Sequence, residues 1–167
     1  METNPVSVIF LDKISIFYFG FKAQMENLPV LISFLPEKEL QDDNLAVKYK
    51  GDFICYHITT ETGITELNAV CRKIRKTFPD SGLIGCFDKL NAKMLPLIKK
   101  NRFRGLIMME DTPQDILHTI MAMQRGESGL SKGFMKQYLL MKHRENKKNP
   151  RTKTNGKVPV EVNTAEK

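Results

Sequence analysis

The residue types here that could do chemistry are few: His57, the charged residues Asp12, Lys13 and Asp88, and three cysteines. As a nucleophile or general base, His57 would need an acid-base partner and an anion-stabilising group, and only Asp12, Asp88 and Lys13 are candidates for those roles. As a metal ligand it would have Asp12 beside it and too few further donors. The plainer reading is a strand-end imidazole hydrogen-bonded to Asp12 or Asp88, with a charge that responds to pH. Cys55, Cys71 and Cys86 are odd in number, sit in apolar surroundings and lack CxxC or Cys/His spacing, so they read as reduced core thiols and point to the cytoplasm. There is no Gly-rich phosphate loop and no metal-ligand spacing, so an enzyme is the least favoured class, with no cofactor and no metal expected.

The elements that must position these residues alternate between short apolar runs and helix-period segments, the pattern of βα units around a mostly parallel sheet. Val6 to Leu11, Val30 to Phe34, Phe53 to Ile58, Leu83 to Cys86 and Leu106 to Met109 read as five strands. Helices are expected through Phe17, Phe21 and Met25, over Glu37 to Gln41, and over Met94 to Asn101, where Pro96 is tolerable only near the first turn. Leu67, Val70, Cys71, Ile74 and Phe78 form one apolar helix face ended by Pro79. Thr112 is placed to cap a helix whose first residue is Pro113, and Gly126 to end it. A further helix starts at Ser131, with Phe134, Met135, Tyr138, Leu139 and Lys142 along one stripe.

A length of 167 residues suits one domain with an appendage, and 41% hydrophobic residues suffice for a sizeable core. Charge divides the chain. Residues 1 to 130 hold 16 basic and 16 acidic side chains, whereas residues 131 to 167 hold 10 basic and 3 acidic, so the net +7 lies wholly in the C-terminal segment. The expected organisation is a domain over 1–130, a linker helix over 131–145 and a basic, disordered tail over 146–167. No apolar stretch reaches the ~18 residues of a membrane span, and no signal-type N-terminus is present, so no membrane partner is expected.

Three runs in order, Val8-Ile-Phe-Leu-Asp12-Lys13, Asp52-Phe-Ile-Cys-Tyr-His57-Ile and Arg104-Gly-Leu-Ile-Met through Leu130-Ser131, resemble a response-regulator receiver domain of the LuxR/NarL type, over residues 6 to about 131. The resemblance implies an α/β flavodoxin-like fold, a doubly wound five-stranded parallel sheet of order 2-1-3-4-5, here with an extra C-terminal helix and a basic tail. It also implies a phosphorylation pocket, which this chain departs from at most positions. The acidic pair is Asp12-Lys13, the phosphoacceptor position holds His57, the hydroxyl position holds Phe87, and the Lys position holds Met109, or Glu110 if the alignment slips by one. The loop after His57 is about two residues shorter than usual and lacks the customary Pro. A hard cation such as Mg²⁺ needs carboxylate oxygens in near-octahedral geometry, so neither a Mg²⁺ site nor an aspartyl phosphate is expected.

By the same resemblance, Leu106 stands where an aromatic switch residue would be, and together with Phe87 it implies a switch region packed permanently by apolar contact. The partner face would involve Lys99, Lys100, Arg102, Leu106, Met109, Gln114 and His118. The helix from Pro113 looks more apolar than one sheet-facing stripe requires. Ile120, Met121 and Met123, with Phe134, Tyr138 and Leu139 of the next helix, are therefore expected to form a homodimer contact, unless the last helix folds back over them. Two functions follow. One is a phosphorylation-independent, transcription-regulating receiver acting by dimerisation or partner docking, lacking the family's helix-turn-helix and touching nucleic acid only through a missing domain or weakly through the basic tail. The other is a stand-alone adaptor for a histidine kinase, another regulator or a small molecule.

Overall fold

The computed structural model describes residues 4–148. The central strands are the most apolar runs of the sequence. Strands β1 (Val6–Asp12), β3 (Phe53–Ile58) and β4 (Gly82–Phe87) are buried almost throughout, as parallel strands covered on both faces must be. β2 (Val30–Pro36) lies at one edge beside β1, and β5 (Gly105–Met108) follows β4. One face carries α1 (Ile16–Met25) and α5 (Pro113–Gln124), packed over Phe10, Cys55, Ile84 and Ile107. The other carries α2 (Leu45–Lys48), α3 (Ile64–Thr77) and α4 (Leu95–Lys100), packed over Leu11, Ile54, Tyr56 and Phe87. The apolar face of α3 is the expected one, with Leu67, Val70, Cys71 and Ile74 buried. No helix among the described residues is long and apolar enough to cross a membrane.

The sheet has six strands, in the order 2-1-3-4-5-6, rather than five. The extra strand β6 (Gly129–Leu130) pairs parallel with Gly105 and Leu106. Its cause is the exit from α5. Thr112 Oγ1 accepts from Asp115 N–H at the start, while Gly126, at φ +83°, lets the Glu127 and Gly126 amides reach back to Ala122 and Met123 at the end. The chain then returns along β5, close enough that Met123 and Thr119 fill the space a side chain at Gly129 would need. The helix expected over Glu37–Gln41 is there as a 3-10 helix, followed by the single turn of α2. Asp42 Oδ1 accepts from Asn44 N–H at 2.9 Å, a local bond that competes with helix continuation.

The last helix, α6 (Lys132–Lys148), runs three residues beyond its expected end. Ser131 Oγ accepts from Phe134 N–H at 3.1 Å, the expected cap. α6 does fold back onto its own domain. Phe134 is buried with its ring 5.9 Å from that of Phe87, and Tyr138 and Met141 pack beside it. Asp111 fastens the junction, its two carboxylate oxygens accepting from Met108 N–H and Gly133 N–H. The tail beyond residue 148 lies outside the described residues.

Because Phe134 fills core volume while Leu139 faces solvent, Phe134→Ala should destabilise the protein by about 3–5 kcal/mol and Leu139→Ala by no more than about 0.5 kcal/mol. Urea unfolding followed by circular dichroism reads both. Equal small effects would show that α6 is not part of the core.

Candidate functional site

The parallel register sets Leu11 beside Tyr56 and His57 beside Cys86, so the ends of β1, β3 and β4 bring Asp12, His57 and Asp88 together at the carboxyl edge of the sheet. This is the edge where doubly wound folds place their ligands. The imidazole is clamped from both sides. Nδ1 lies 2.7 Å from Asp12 Oδ2 and Nε2 lies 2.5 Å from Asp88 Oδ1. A neutral imidazole has only one N–H to give, and an ionised carboxylate can only accept. Two carboxylate partners therefore select the imidazolium, which donates to both. Burial works against that charge, but the two carboxylates outweigh it and raise the His57 pKa above its ordinary value. His57 and Asp12 are buried, whereas Asp88 reaches solvent.

The expected pairing with Asp12 or Asp88 is thus a pairing with both. Sequence reasoning missed the aromatic cover: Phe17 of α1 stands edge-on to the imidazole with ring centroids 4.7 Å apart, and the Phe10 ring lies 6.0 Å away. Lys13 does not turn its ammonium into the pocket. It donates its backbone N–H to Asp12 Oδ1 and sends its side chain to Glu66 of α3, 2.5 Å away. That hydrogen bond raises the Lys13 pKa and lowers that of Glu66. The short loop after β3 is closed by Thr59 N–H donating to Thr62 Oγ1 and Thr62 N–H donating to Thr59 O.

Phe87 is fully buried beneath Phe103 and Phe134. Met109 rests its thioether against Cys86 Sγ at 3.1 Å, and the Glu110 carboxylate accepts from Gln137 of α6. Cys55, Cys71 and Cys86 are unpaired and buried, and burial pushes the Cys71 thiol up to about 12. Among the described residues no group of three or more His, Cys, Asp and Glu side chains is arranged to hold a metal ion.

The expected partner face is divided. Leu106 is buried and, with Lys99, lines a groove of about 810 Å³ between α4 and α6, whose floor includes Ile98, Phe134 and Tyr138. Lys100 and Arg102 are exposed at the end of α4, while Gln114 and His118 are exposed on α5, across the sheet. The dimer candidates are corrected in part. Ile120, Met123 and Phe134 are buried inside the domain, because α5 turns most of its apolar width to the sheet and β6. Met121 and Tyr138 are half-buried, and Leu139 alone of the six is fully exposed.

No described protein family and no curated protein matches this sequence. Solved structures do match in fold. The isolated receiver domain of RcsB from Salmonella enterica serovar Typhimurium, with the phosphomimetic BeF₃⁻, superposes with TM-score 0.60 at 20% identity, over 80% of this chain and 99% of that one. The non-phosphorylated receiver domain of the stress response regulator RcsB from Escherichia coli gives 0.63 at 19% identity, over 77% and 100%. A LuxR-family two-component response regulator from Aurantimonas sp. SI85-9A1 gives 0.63 at 12% identity, over 84% and 97%. The chain therefore has the receiver fold.

His57 predicts a pH dependence with a definite sign. A folded-state pKa above the unfolded value of about 6.5 stabilises the fold below that pH, and the contribution is lost as pH rises through the folded-state value. The urea midpoint should fall over that interval in the wild type and stay flatter in His57→Gln. An imidazole that titrates at or below the ordinary value by NMR would contradict the imidazolium clamp.

Proposed function

We propose that this chain is a receiver-like signalling domain that works without phosphorylation, contributing to transcription regulation of the LuxR/NarL type through self-association or partner docking. The observation that carries this reading is the imidazole of His57 held between Asp12 and Asp88. Aspartyl phosphate formation needs a carboxylate nucleophile and a divalent cation beside it. Here the acceptor position bears an imidazolium with both nitrogens engaged, which supplies positive charge to Asp12 without a metal. The switch positions are filled as well. Phe87 and Leu106 pack beneath Phe134 and the α4–α6 groove, so there is no hydroxyl to draw inward and no aromatic side chain to reorient. The domain acts as a fixed surface, and we assign it no catalytic role. DNA contact would come from a further module or, weakly and without sequence preference, from the basic C-terminal segment.

The α4–α6 groove favours a second reading, a stand-alone adaptor that takes a kinase, another regulator or a small molecule there. Its apolar floor, with the Lys99 ammonium and the Lys142–Glu145 ion pair at its rim, suits an amphipathic occupant.

Acetyl phosphate or beryllofluoride with Mg²⁺ should leave the intact mass, sedimentation and spectra of the full chain unchanged. A stable acyl phosphate on any Asp would overturn the reading. Lys13→Asp with His57→Asp should regain Mg²⁺ binding yet leave sedimentation unaltered, because Phe87 and Met109 still occupy the switch positions.

A further inference from the structure

Strand β2 is paired with β1 on one side only, and nothing among the described residues covers its other edge. The Pro29 carbonyl accepts from Val6 N–H, so the alternation of a parallel ladder turns the N–H and C=O groups of Ile32 and Phe34 outward. Sheets that stay monomeric blunt such an edge with charges, a bulge, an interrupting proline or a covering element. β2 carries no charge and no bulge, and its one proline, Pro36, is its last residue. Residues 27–36, Asn-Leu-Pro-Val-Leu-Ile-Ser-Phe-Leu-Pro, carry no charged side chain, and the prolines bracket the strand instead of breaking it.

The edge is flanked by apolar surface on both faces. Phe19 of α1 on one side and Leu31 on the other, 63% and 60% exposed, line a groove of about 410 Å³ along the strand, and Ile16, 66% exposed, continues the patch one helical turn away. With roughly 150–250 Å² on a fully exposed large side chain, these three offer about 300–400 Å² of apolar area. That is about half of the ~800 Å² per partner of a stable interface, and the open backbone edge adds to it. The groove's charged rim is Lys22 and Glu26, one of each sign. A like copy therefore meets no net repulsion, and nothing in the rim selects a strongly charged foreign protein.

We infer that β2 pairs antiparallel with β2 of a second copy about a two-fold axis that runs between the two strands, level with the middle of each. Two six-stranded sheets then run on as one, and the two α1 helices flank the seam on a single face. The edge is self-complementary: a two-fold axis turns each unpaired donor of one copy toward an unpaired acceptor of the other. This inference is independent of the phosphorylation reading, because it uses neither the pocket nor the switch residues. It also moves the dimer contact from α5 and α6 to the opposite edge of the sheet.

Sedimentation velocity of the full chain at about 100 micromolar, well above the Kd of a stable homodimer, should show a dimer. Hydrogen exchange should show the Ile32 and Phe34 amides protected. The double variant Phe19→Lys/Leu31→Lys changes only exposed side chains, so native circular dichroism should persist while association weakens at least tenfold. Ile32→Pro removes an outward donor and leaves the bonds to β1 in place, with the same expected outcome. A wild-type chain that stays monomeric overturns the inference, as does a double-Lys variant that dimerises like the wild type. A dimer that survives those changes but dissociates with Tyr138→Glu would locate the contact on α6 and overturn it equally.

Discussion

The carboxyl edge of the sheet depends on one interaction, the placement of a buried imidazolium between two carboxylates. Three strands end there, and their inward polar groups would otherwise be a cluster of like charge at the low-dielectric rim of the core. A positive charge placed among the carboxylates relieves that repulsion. An imidazole supplies that charge covalently: it is attached to β3, donates to Asp12 and Asp88 in fixed directions, and has Phe17 edge-on beside it. A buried pair of this kind adds little net stability over an apolar substitute, but losing one partner is expensive. Its effect is to make a single arrangement of the strand ends the favourable one.

Apolar packing continues along the same edge. Phe87, the residue before Asp88, is met by Phe103 and Phe134, and Leu106 lines the α4–α6 groove beside them. Asp111 then fastens the end of β5 to the first turn of α6. Close packing of this sort leaves few voids and holds its side chains in defined rotamers. Through the neighbours Phe87 and Asp88, the packing of α6 and the clamp on His57 meet at the end of β4.

Two surfaces are presented, and they differ in kind. The α4–α6 groove is concave and apolar, with Lys99, Lys142 and Glu145 in its lining, a shape suited to an occupant unlike itself. The β2 edge is flat, uncharged and equipped with unpaired backbone groups, which suits a copy of itself.

Strand and helix assignments were largely legible in the sequence because they are local. The buried runs Phe53 to Ile58 and Leu83 to Cys86, the stripe of α3, and the Thr112, Gly126 and Ser131 caps each state their role within a few residues, and the departures at His57 and Phe87 were visible as residue types. The tertiary structure decided what spacing cannot encode. β6 exists only because α5 returns the chain to the edge of β5, and two residues carry no period of their own. His57 takes both acids rather than one because Asp12 and Asp88 approach from strands on opposite sides of it. Lys13 looked like a pocket residue from its position after Asp12, but it lies just past the end of β1 and its side chain goes to Glu66 on α3. The apolar width of α5 suggested an exposed interface, yet β6 and the sheet absorb Ile120 and Met123. The uncharged stretch 27–36 was plain in the sequence, but that it forms an edge rather than an interior strand follows from strand order, a property of the assembled sheet alone.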